Sequence, residues 1–324
     1  MRRTLLRFLV LLLILAVLSL ILLRFAAVQR ESADQSSAPA RGTMIQTQSL
    51  SFYTLSNGPT EGQPVLLAHG SAAWSGFWEK EVIELGKAGF RAIAFDMPPF
   101  GYSDRPSDGD YSRGTQAKRI LDLVATLDTS PVMIAHSFGA AAAAEAVLLD
   151  PKAFAGLIIV NGALAMDAEA TQSALPLPIR NRTLRETAIA ASVTNPLATK
   201  FLLRGLLHNE DAATDQIVDV LQTPQLREGT TESYADWLTA LMAPAPDTLS
   251  RDPASYANLS IPVRIIWGDK DTVTPPAQAE AIADALGQGE VAYLRNVGHI
   301  PHIEAPEAFA DLLLGLLAEI SQAR

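Results

Sequence analysis

A single serine stands between a predicted strand and a predicted helix in the segment AHSFG, residues 135–139. The apolar run before it, PVMI, is typical of a buried strand, and the run of alanines at residues 140–144 suits a tightly packed helix. Such a serine can serve simply as the N-cap of the helix. It can also be a nucleophile, provided that a base lies within hydrogen-bonding reach of its hydroxyl group. Which interpretation holds depends on the other chemistry that the chain brings to this turn.

Polar residues follow five of the predicted strands, at the point where each strand ends. In open α/β sheets, ligands bind at the carboxyl ends of the strands, so these residues are expected to meet at one edge. The segments are HGSA at residues 69–72, DMPPFGYS at 96–103, Ser137 itself, GDKD at 268–271 and GH at 298–299. The potentially reactive groups therefore come in the order serine, aspartate, histidine along the chain.

The motifs AHSFG, DMPPFGYSDRP, GDKD and VGHIPH, in this order, resemble those of the α/β-hydrolase fold family. The resemblance covers residues 46–324, and its one departure is Ala135, which stands where the family has the first glycine of G-x-S-x-G. It implies that Ser137 is the nucleophile, Asp271 the acid and His299 the general base of a catalytic triad.

Two members of this implied triad have neighbours of the same type. Asp269 lies two residues before Asp271, and we favour Asp271 because the acid of the family falls three residues after the glycine of a W-G-x-x-D motif. His302 lies three residues after His299, and we favour His299 because the preceding Gly298 matches the turn of the family. Both alternatives stay open at the level of sequence.

An acyl-transfer site also needs two N–H donors for the oxyanion of the tetrahedral intermediate. The backbone N–H of Phe138 is one candidate, because it lies at a helix N-terminus where the dipole favours anions. The resemblance implies the N–H of Ser71 as the second, with Ala72 as the alternative. Trp74 and Phe100 are expected to line the substrate pocket.

The chain from residue 46 onward alternates short aliphatic runs with helical patterns, which predicts an α/β fold with a mostly parallel, doubly wound sheet. One interval, residues 162–257, carries helical patterns and no strand pattern. We therefore predict a core in two parts, residues 46–161 and 258–324, with a helical cap inserted between them.

Residues 1–45 are predicted to form a membrane anchor and a flexible tether. The stretch 5–23 is apolar except for Arg7 and one serine, and as a helix it would measure about 28 Å, close to the thickness of a hydrocarbon core. A cleaved signal peptide is the alternative, but Arg24 directly follows the apolar stretch, and the nearest small-x-small site lies at residues 38–40. The arginine distribution predicts a cytoplasmic N-terminus and an extracytoplasmic body, periplasmic in a bacterium.

Composition excludes several classes of site. The chain has no cysteine, which rules out disulfides, thiol catalysis and cysteine-ligated zinc. Its net charge is −10; without the five arginines of the first 30 residues, 20 basic residues face 35 acidic ones, a net charge of −15. Such an acidic body repels a phosphate backbone, so no nucleic-acid partner is expected. The histidines and carboxylates show no metal-ligand spacing, and we expect neither a metal nor another cofactor.

The sequence thus predicts a carboxylesterase-like serine hydrolase that cleaves an ester-type acyl bond of a small, largely apolar substrate through an acyl-enzyme. Amide hydrolysis of the iminopeptidase type is one alternative, with Glu210, Asp211 or Glu232 of the cap meeting the substrate amine. Carbon–carbon hydrolysis is another, disfavoured because HGSAAWSGFW lacks the asparagine that such enzymes carry there. A third alternative is a non-catalytic, membrane-anchored scaffold that binds a ligand.

Overall fold

One eight-stranded sheet organises the chain, and its last six strands run parallel to one another. The computed structural model describes residues 2–32, 37–166, 175–242, 248–257, 259–287 and 290–322. The strands are β1 Thr43–Gln46, β2 Ser51–Asn57, β3 Pro64–Ala68, β4 Arg91–Phe95, β5 Val132–His136, β6 Gly156–Val160, β7 Val263–Gly268 and β8 Val291–Leu294. Their spatial order is β1-β2-β4-β3-β5-β6-β7-β8, with β1–β2 and β2–β4 antiparallel.

Helices cover both faces of the sheet because alternate residues of each strand point to opposite sides. On β3, Leu66 and Ala68 pack on one side, and Val65 and Leu67 pack on the other. The first side is covered by α3 Arg113–Val124, α4 Phe138–Leu149 and α10 Pro276–Leu286, and the second by α2 Glu79–Lys87 and α12 Pro306–Gln322. The short helix α11, Pro301–Glu304, precedes α12. The predicted fold class is therefore confirmed.

The element boundaries follow the sequence patterns closely. The aliphatic runs at residues 64–68, 91–95 and 156–160 form strands, and the helical patterns at residues 138–149 and 276–286 form helices. The four-residue β1 was not predicted, because its side chains are mostly exposed and it carries no buried-strand pattern.

Between β6 and β7 the described residues form helices and no sheet strand. These helices are α5 Leu177–Arg180, α6 Arg182–Ala191, α7 Pro196–Arg204, α8 Asp215–Gln222 and α9 Thr230–Met242. Side chains cap three of them at the N-terminus: Asn181 for α6, Asn195 for α7 and Thr214 for α8. We refer to residues 175–242 as the cap.

The first helix, α1 Arg2–Arg30, is long and apolar enough to cross a membrane. Described residues in the predicted tether contact the rest of the protein. Glu31 accepts hydrogen bonds from the backbone N–H and the hydroxyl of Thr231, and Tyr53 donates its hydroxyl proton to the carbonyl of Pro39. The carboxylate of Glu31 thus has its partner on the cap and the carbonyl of Pro39 has its partner on β2, which composition alone could not indicate.

Candidate active site

Ser137 lies on a sharp turn between β5 and α4, with φ of 52° and ψ of −122°. A non-glycine residue rarely adopts such a conformation, and where it occurs the surrounding structure must enforce it. The turn leaves no room beside it: a Cβ on Gly139 would come within 2.4 Å of the carbonyl oxygen of His69. Ala135, by contrast, is accommodated in the buried end of β5, so its methyl group is compatible with the turn.

The structure brings Ser137 together with the two residues that sequence reasoning favoured. The Oγ of Ser137 lies 2.9 Å from Nε2 of His299, and Nδ1 of His299 lies 2.8 Å from Oδ2 of Asp271. A carboxylate can only accept a hydrogen bond, so Nδ1 carries the proton and Nε2 is free to accept the proton of the serine. All three side chains are buried. This is the geometry that a serine nucleophile with a histidine base requires.

Asp271 is held by more donors than the triad alone would supply. Its Oδ2 also accepts hydrogen bonds from Nδ2 of Asn161 and Oγ1 of Thr274, each at 2.6 Å, and its Oδ1 accepts the N–H groups of Val273 and Thr274. Burial alone would raise the pKa of Asp271. The hydrogen bond and the charge of His299, together with the hydrogen bonds from Asn161 and Thr274, hold the pKa below its ordinary value. The carboxylate is therefore ionised at neutral pH.

Asn161 and Thr274 were missed at the level of sequence. Asn161 directly follows β6, so the rule that polar residues after strands belong to the site would have found it. Its side chain also donates to the carbonyl of Gly298 and accepts the N–H of Gly268, which ties together the two loops that carry the acid and the base. Thr274 gave no comparable signal.

The loop of His299 is fixed to the cap. Glu304 accepts the N–H of Gly298 through one carboxylate oxygen and the N–H groups of His208 and Asn209 through the other, each at 2.9 Å. The N–H of His299 itself donates to the carbonyl of Leu206 at 3.0 Å. The position of the histidine therefore depends on the cap as well as on the sheet.

The two predicted oxyanion donors lie beside Ser137. Phe138 is the first residue of α4, where backbone N–H groups lack a partner within the helix. Ser71 belongs to the turn after β3, and this turn approaches the serine closely: a Cβ on Gly70 would stand 3.1 Å from Cβ of Ser137. Ser71, its alternative Ala72, and Phe138 all line the cavity at the serine.

A cavity of about 260 Å³ opens over Ser137 and His299 between the sheet and the cap. On its sheet side are Gly70, Ser71, Ala72, Ala73, Phe77, His136, Ser137, Phe138, Ala163, Val273, His299 and Ile300, and on its cap side Val193, Thr199, Leu202, Leu203, Leu206, Leu221, Gln225 and Leu241. None of these lining residues is an aspartate, glutamate, lysine or arginine. The cavity therefore suits an uncharged, mainly apolar group.

Neither Trp74 nor Phe100, the predicted substrate contacts, is among these lining residues, and both are fully buried elsewhere. The indole N–H of Trp74 donates to the carbonyl of Val220, and its ring packs against Tyr53 and Tyr102. Phe100 packs edge-on against His69, Tyr234 and Trp237. Their large rings fill space behind the loops, and the expectation that they touch substrate is corrected accordingly.

Two further histidines near the serine bond backbone groups. Nδ1 of His69 donates to the carbonyl of Gly70, and its Nε2 accepts the N–H of Met97. Nε2 of His136 donates to the carbonyl of His299. Burial lowers the pKa of His69 to about 4 and that of His136 to about 3, so both rings are neutral at pH 7.

The competing acid and base lie away from the serine. Asp269 accepts the N–H of Asn296 at 2.7 Å and shapes the turn after β7. His302 is stacked on Trp78 with ring centroids 4.0 Å apart, and neither ring nitrogen has a hydrogen-bond partner among the described residues. Within the same part of the chain, no group of three or more histidines and carboxylates is arranged to hold a metal ion.

Comparison with known proteins gives a consistent picture. A family model described as "Alpha/beta hydrolase family" matches residues 65–312. The 2-hydroxymuconate semialdehyde hydrolase of Pseudomonas sp. (strain CF600) is 26% identical over 274 residues, 81% of this chain and 89% of that protein. Lipase 1 of Psychrobacter immobilis is 25% identical over 265 residues, 79% of this chain and 77% of the lipase. The crystal structure of a membrane phospholipase A superposes with a TM-score of 0.66 at 20% identity, covering 99% of both chains.

Proposed function

Because the chain belongs to the alpha/beta hydrolase family, we propose that it is a serine hydrolase that cleaves an ester-type acyl bond of a largely apolar substrate. The observation that carries the proposal is the hydrogen-bonded series Ser137–His299–Asp271 at the base of an apolar cavity. A hydroxyl group is a weak nucleophile at neutral pH, and this series supplies both the base and the group that orients it.

In the proposed reaction, Oγ of Ser137 attacks the acyl carbon while Nε2 of His299 takes the hydroxyl proton. The resulting oxyanion accepts hydrogen bonds from the N–H groups of Ser71 and Phe138, and Asp271 stabilises the imidazolium. The carbon–oxygen bond then breaks, the alcohol leaves with the proton from His299, and the acyl group stays on the serine. A water molecule, deprotonated by His299, attacks the acyl-enzyme; the bond between the acyl carbon and Oγ of Ser137 breaks, Oγ takes the proton back from His299, and the carboxylic acid is released.

The uncharged lining of the cavity favours an ester substrate over the substrates named for some relatives. The muconate-type substrate in the name of the Pseudomonas relative carries a carboxylate, and among the described lining residues there is no cation to pair with one. Recognition of a substrate amine has no support either, since Glu210, Asp211 and Glu232 are not among the residues that line the described cavity. A lipase-type substrate, with an uncharged acyl chain, fits this lining better.

We further propose that α1 is retained as a membrane anchor and that the body lies outside the cytoplasm. Residues at its end make specific contacts that a cleaved signal peptide would not need. Arg24 pairs with Glu186 at 2.9 Å, and Arg30 donates to the carbonyl of Thr194 at 2.9 Å. The mass of the protein isolated from membranes tests whether α1 is retained. The orientation is tested with a reporter that functions only in the cytoplasm, fused after Thr43; activity of this reporter would contradict an extracytoplasmic body.

The activity is tested on the full chain with a water-soluble p-nitrophenyl ester and a fluorophosphonate probe. We expect ester hydrolysis and labelling of Ser137, and Ser137→Ala should remove the label and lower kcat by about 10⁴–10⁶-fold. Folded protein that hydrolyses no ester and leaves the serine unlabelled would contradict the enzyme and favour a ligand-binding scaffold. Cleavage of a carboxylate-bearing dienone in preference to any ester would favour carbon–carbon hydrolysis instead.

A further inference from the structure

The end of the membrane-spanning helix is bound to the cap, and this contact fixes how the cap faces the bilayer. Going along α1 from Arg24 to Arg30, the partners on the cap move from Glu186 to Thr194. The helices α1 and α6 therefore run side by side in the same direction. Since residues 5–23 of α1 would lie in the bilayer, the N-terminal end of α6 is the end nearer to it.

The last cap helix runs the opposite way. Arg185 of α6 donates to the carbonyl of Ala235, whereas Thr194, after α6, is hydrogen-bonded to Thr231 at the start of α9. α9 is therefore antiparallel to α6, and its C-terminus points toward the bilayer. At a rise of about 1.5 Å per residue, Met242 lies about 10 Å further along that direction than Ala235.

Three apolar side chains are exposed at this end of the cap, and we refer to Leu184, Leu241 and Met242 as the cap-end patch. Their exposed fractions are 49%, 40% and 46%. Arg24 directly follows the apolar span and pairs with Glu186 of α6. The next residue toward the bilayer, Arg185, donates to the carbonyl of Ala235, and α9 continues from there toward the patch. The patch therefore extends from the level of Arg24, where the span ends, about 10 Å toward the bilayer.

One residue of the cap-end patch, Leu241, also belongs to the cavity wall. Leu241 lines the cavity over Ser137 while a large part of its surface is exposed, so the cavity reaches the protein surface beside this residue. Leu202 and Val273, which line the same cavity, are exposed as well. An apolar opening at the level of a membrane surface would give an acyl chain a path that does not cross water.

We propose that the cap-end patch rests on the bilayer that holds α1, and that the substrate is a bilayer lipid with a fatty acyl ester, which enters the cavity beside Leu241. The occupant of the patch is the lipid surface because the chain's own apolar helix ends next to it. This inference rests on the proposed esterase function and adds the class and the source of the substrate.

The test uses the full chain reconstituted in phosphatidylcholine vesicles and compares two substrates, the vesicle lipid itself and a water-soluble p-nitrophenyl butyrate. Met242→Glu places a charge in the patch. Leu149→Glu is the matched control, because Leu149 has an exposed fraction of 45% and ends α4, about 16 Å along this helix from Phe138 and away from the cap. Neither residue lines the cavity.

We expect Met242→Glu to lower fatty acid release from the vesicles by about tenfold and to leave butyrate hydrolysis unchanged. Leu149→Glu should change neither activity. Equal effects of the two substitutions on vesicle hydrolysis would overturn the docking surface. If the unaltered protein hydrolyses butyrate but releases no fatty acid from vesicles, the substrate class is overturned. If the unaltered protein has neither activity, the proposed function itself is contradicted.

A second measurement is independent of turnover. The chain has no cysteine, so Met242→Cys and Leu149→Cys can each be labelled at one position with a fluorophore. Spin-labelled lipid in the vesicles should quench the label at position 242 and leave the label at 149 bright. Equal quenching at both positions would contradict contact between the cap-end patch and the bilayer.

Discussion

The two sides of the cavity are built by different forces. On the sheet side, polar groups are buried and bonded directionally: Asp271 alone accepts hydrogen bonds from His299, Asn161 and Thr274. On the cap side, aliphatic side chains prevail, and they pack without directional bonds. Directional bonds fix angles and distances between reacting groups, whereas apolar packing tolerates a range of ligand shapes. Changes on the sheet side should therefore act on kcat, and changes on the cap side on KM.

On the sheet side of the cavity, the largest effect is expected from a substitution of the triad acid. Asp271→Asn should lower kcat by about 10⁴-fold, because an amide at this position favours the wrong tautomer of His299. Steady-state kinetics with a soluble ester measure the loss. The matched control is Asp269→Asn, whose amide oxygen still accepts the N–H of Asn296 but without the charge. It should cost at most about 1 kcal/mol of stability and leave kcat nearly unchanged. The reverse pattern, with turnover lost only in the second variant, would move the acid to position 269.

A smaller effect is expected from the residue that holds the acid. Asn161→Asp keeps the size of the side chain, and aspartate, like asparagine, tolerates the positive φ of 44° at this position. It replaces a donor 2.6 Å from Asp271 with a second carboxylate, and like charges at this distance raise the pKa of the pair.

We expect kcat to fall by about tenfold at pH 7 and the acid limb of the pH–rate profile to move to higher pH. Asn181→Asp serves as the control, because Asn181 caps α6 and an aspartate caps equally well. An unshifted acid limb in Asn161→Asp would show that the asparagine acts only on stability.

The apolar side is tested on one helix with two leucines. Leu202 lines the cavity, whereas Leu197 on the same helix is 89% exposed and does not. Leu202→Ala should raise KM for a long-chain ester by roughly threefold to tenfold with kcat within a factor of two, because the contact is the same in ground and transition states. Leu197→Ala should leave KM unchanged with the same soluble substrate. A fall in kcat without a change in KM for Leu202→Ala would refute the division between the two sides.

The smallest effect is expected at His302, whose ring is packed among the rings of Phe77, Trp78, His136 and Phe309. Its ring nitrogens lack partners among the described residues, and burial lowers its pKa well below the ordinary value. His302→Phe should stabilise the protein by about 1 kcal/mol at pH 7 without changing kcat, because an unpaired buried polar group is removed.

The pH dependence of this gain has a definite sign. The unfolded chain binds a proton at this histidine near pH 6.5, and the folded chain does not, so acidification below pH 6.5 destabilises the folded protein. The advantage of His302→Phe should therefore widen between pH 7 and pH 5 in thermal unfolding scans. A constant or shrinking advantage over this range would contradict a neutral, buried ring.

The sequence determined the fold class and indicated the three positions of the candidate triad on the sheet side. Aliphatic runs of four to six residues specify parallel strands, and the residue after each run must lie at the same edge of the sheet. The rule applies equally to Asn161, which follows β6 and was overlooked because an asparagine after a strand also suits an ordinary turn. Features that depend on neighbouring residues in the chain are thus encoded locally and can be predicted from the sequence by itself.

Only the tertiary structure decided which large side chains line the cavity and how the cap is held. Trp74 and Phe100 lie in the right loops, but the direction of their rings depends on packing. Trp74 packs against Tyr102, 28 positions later, and Phe100 packs against Tyr234, 134 positions later. The bonds of Glu304 to the cap and of Arg24 to Glu186 likewise join residues separated by about a hundred positions or more. Hydrophobic pattern and local propensity carry no information on such pairs, because the partners meet only after the sheet has formed and the cap has closed over it.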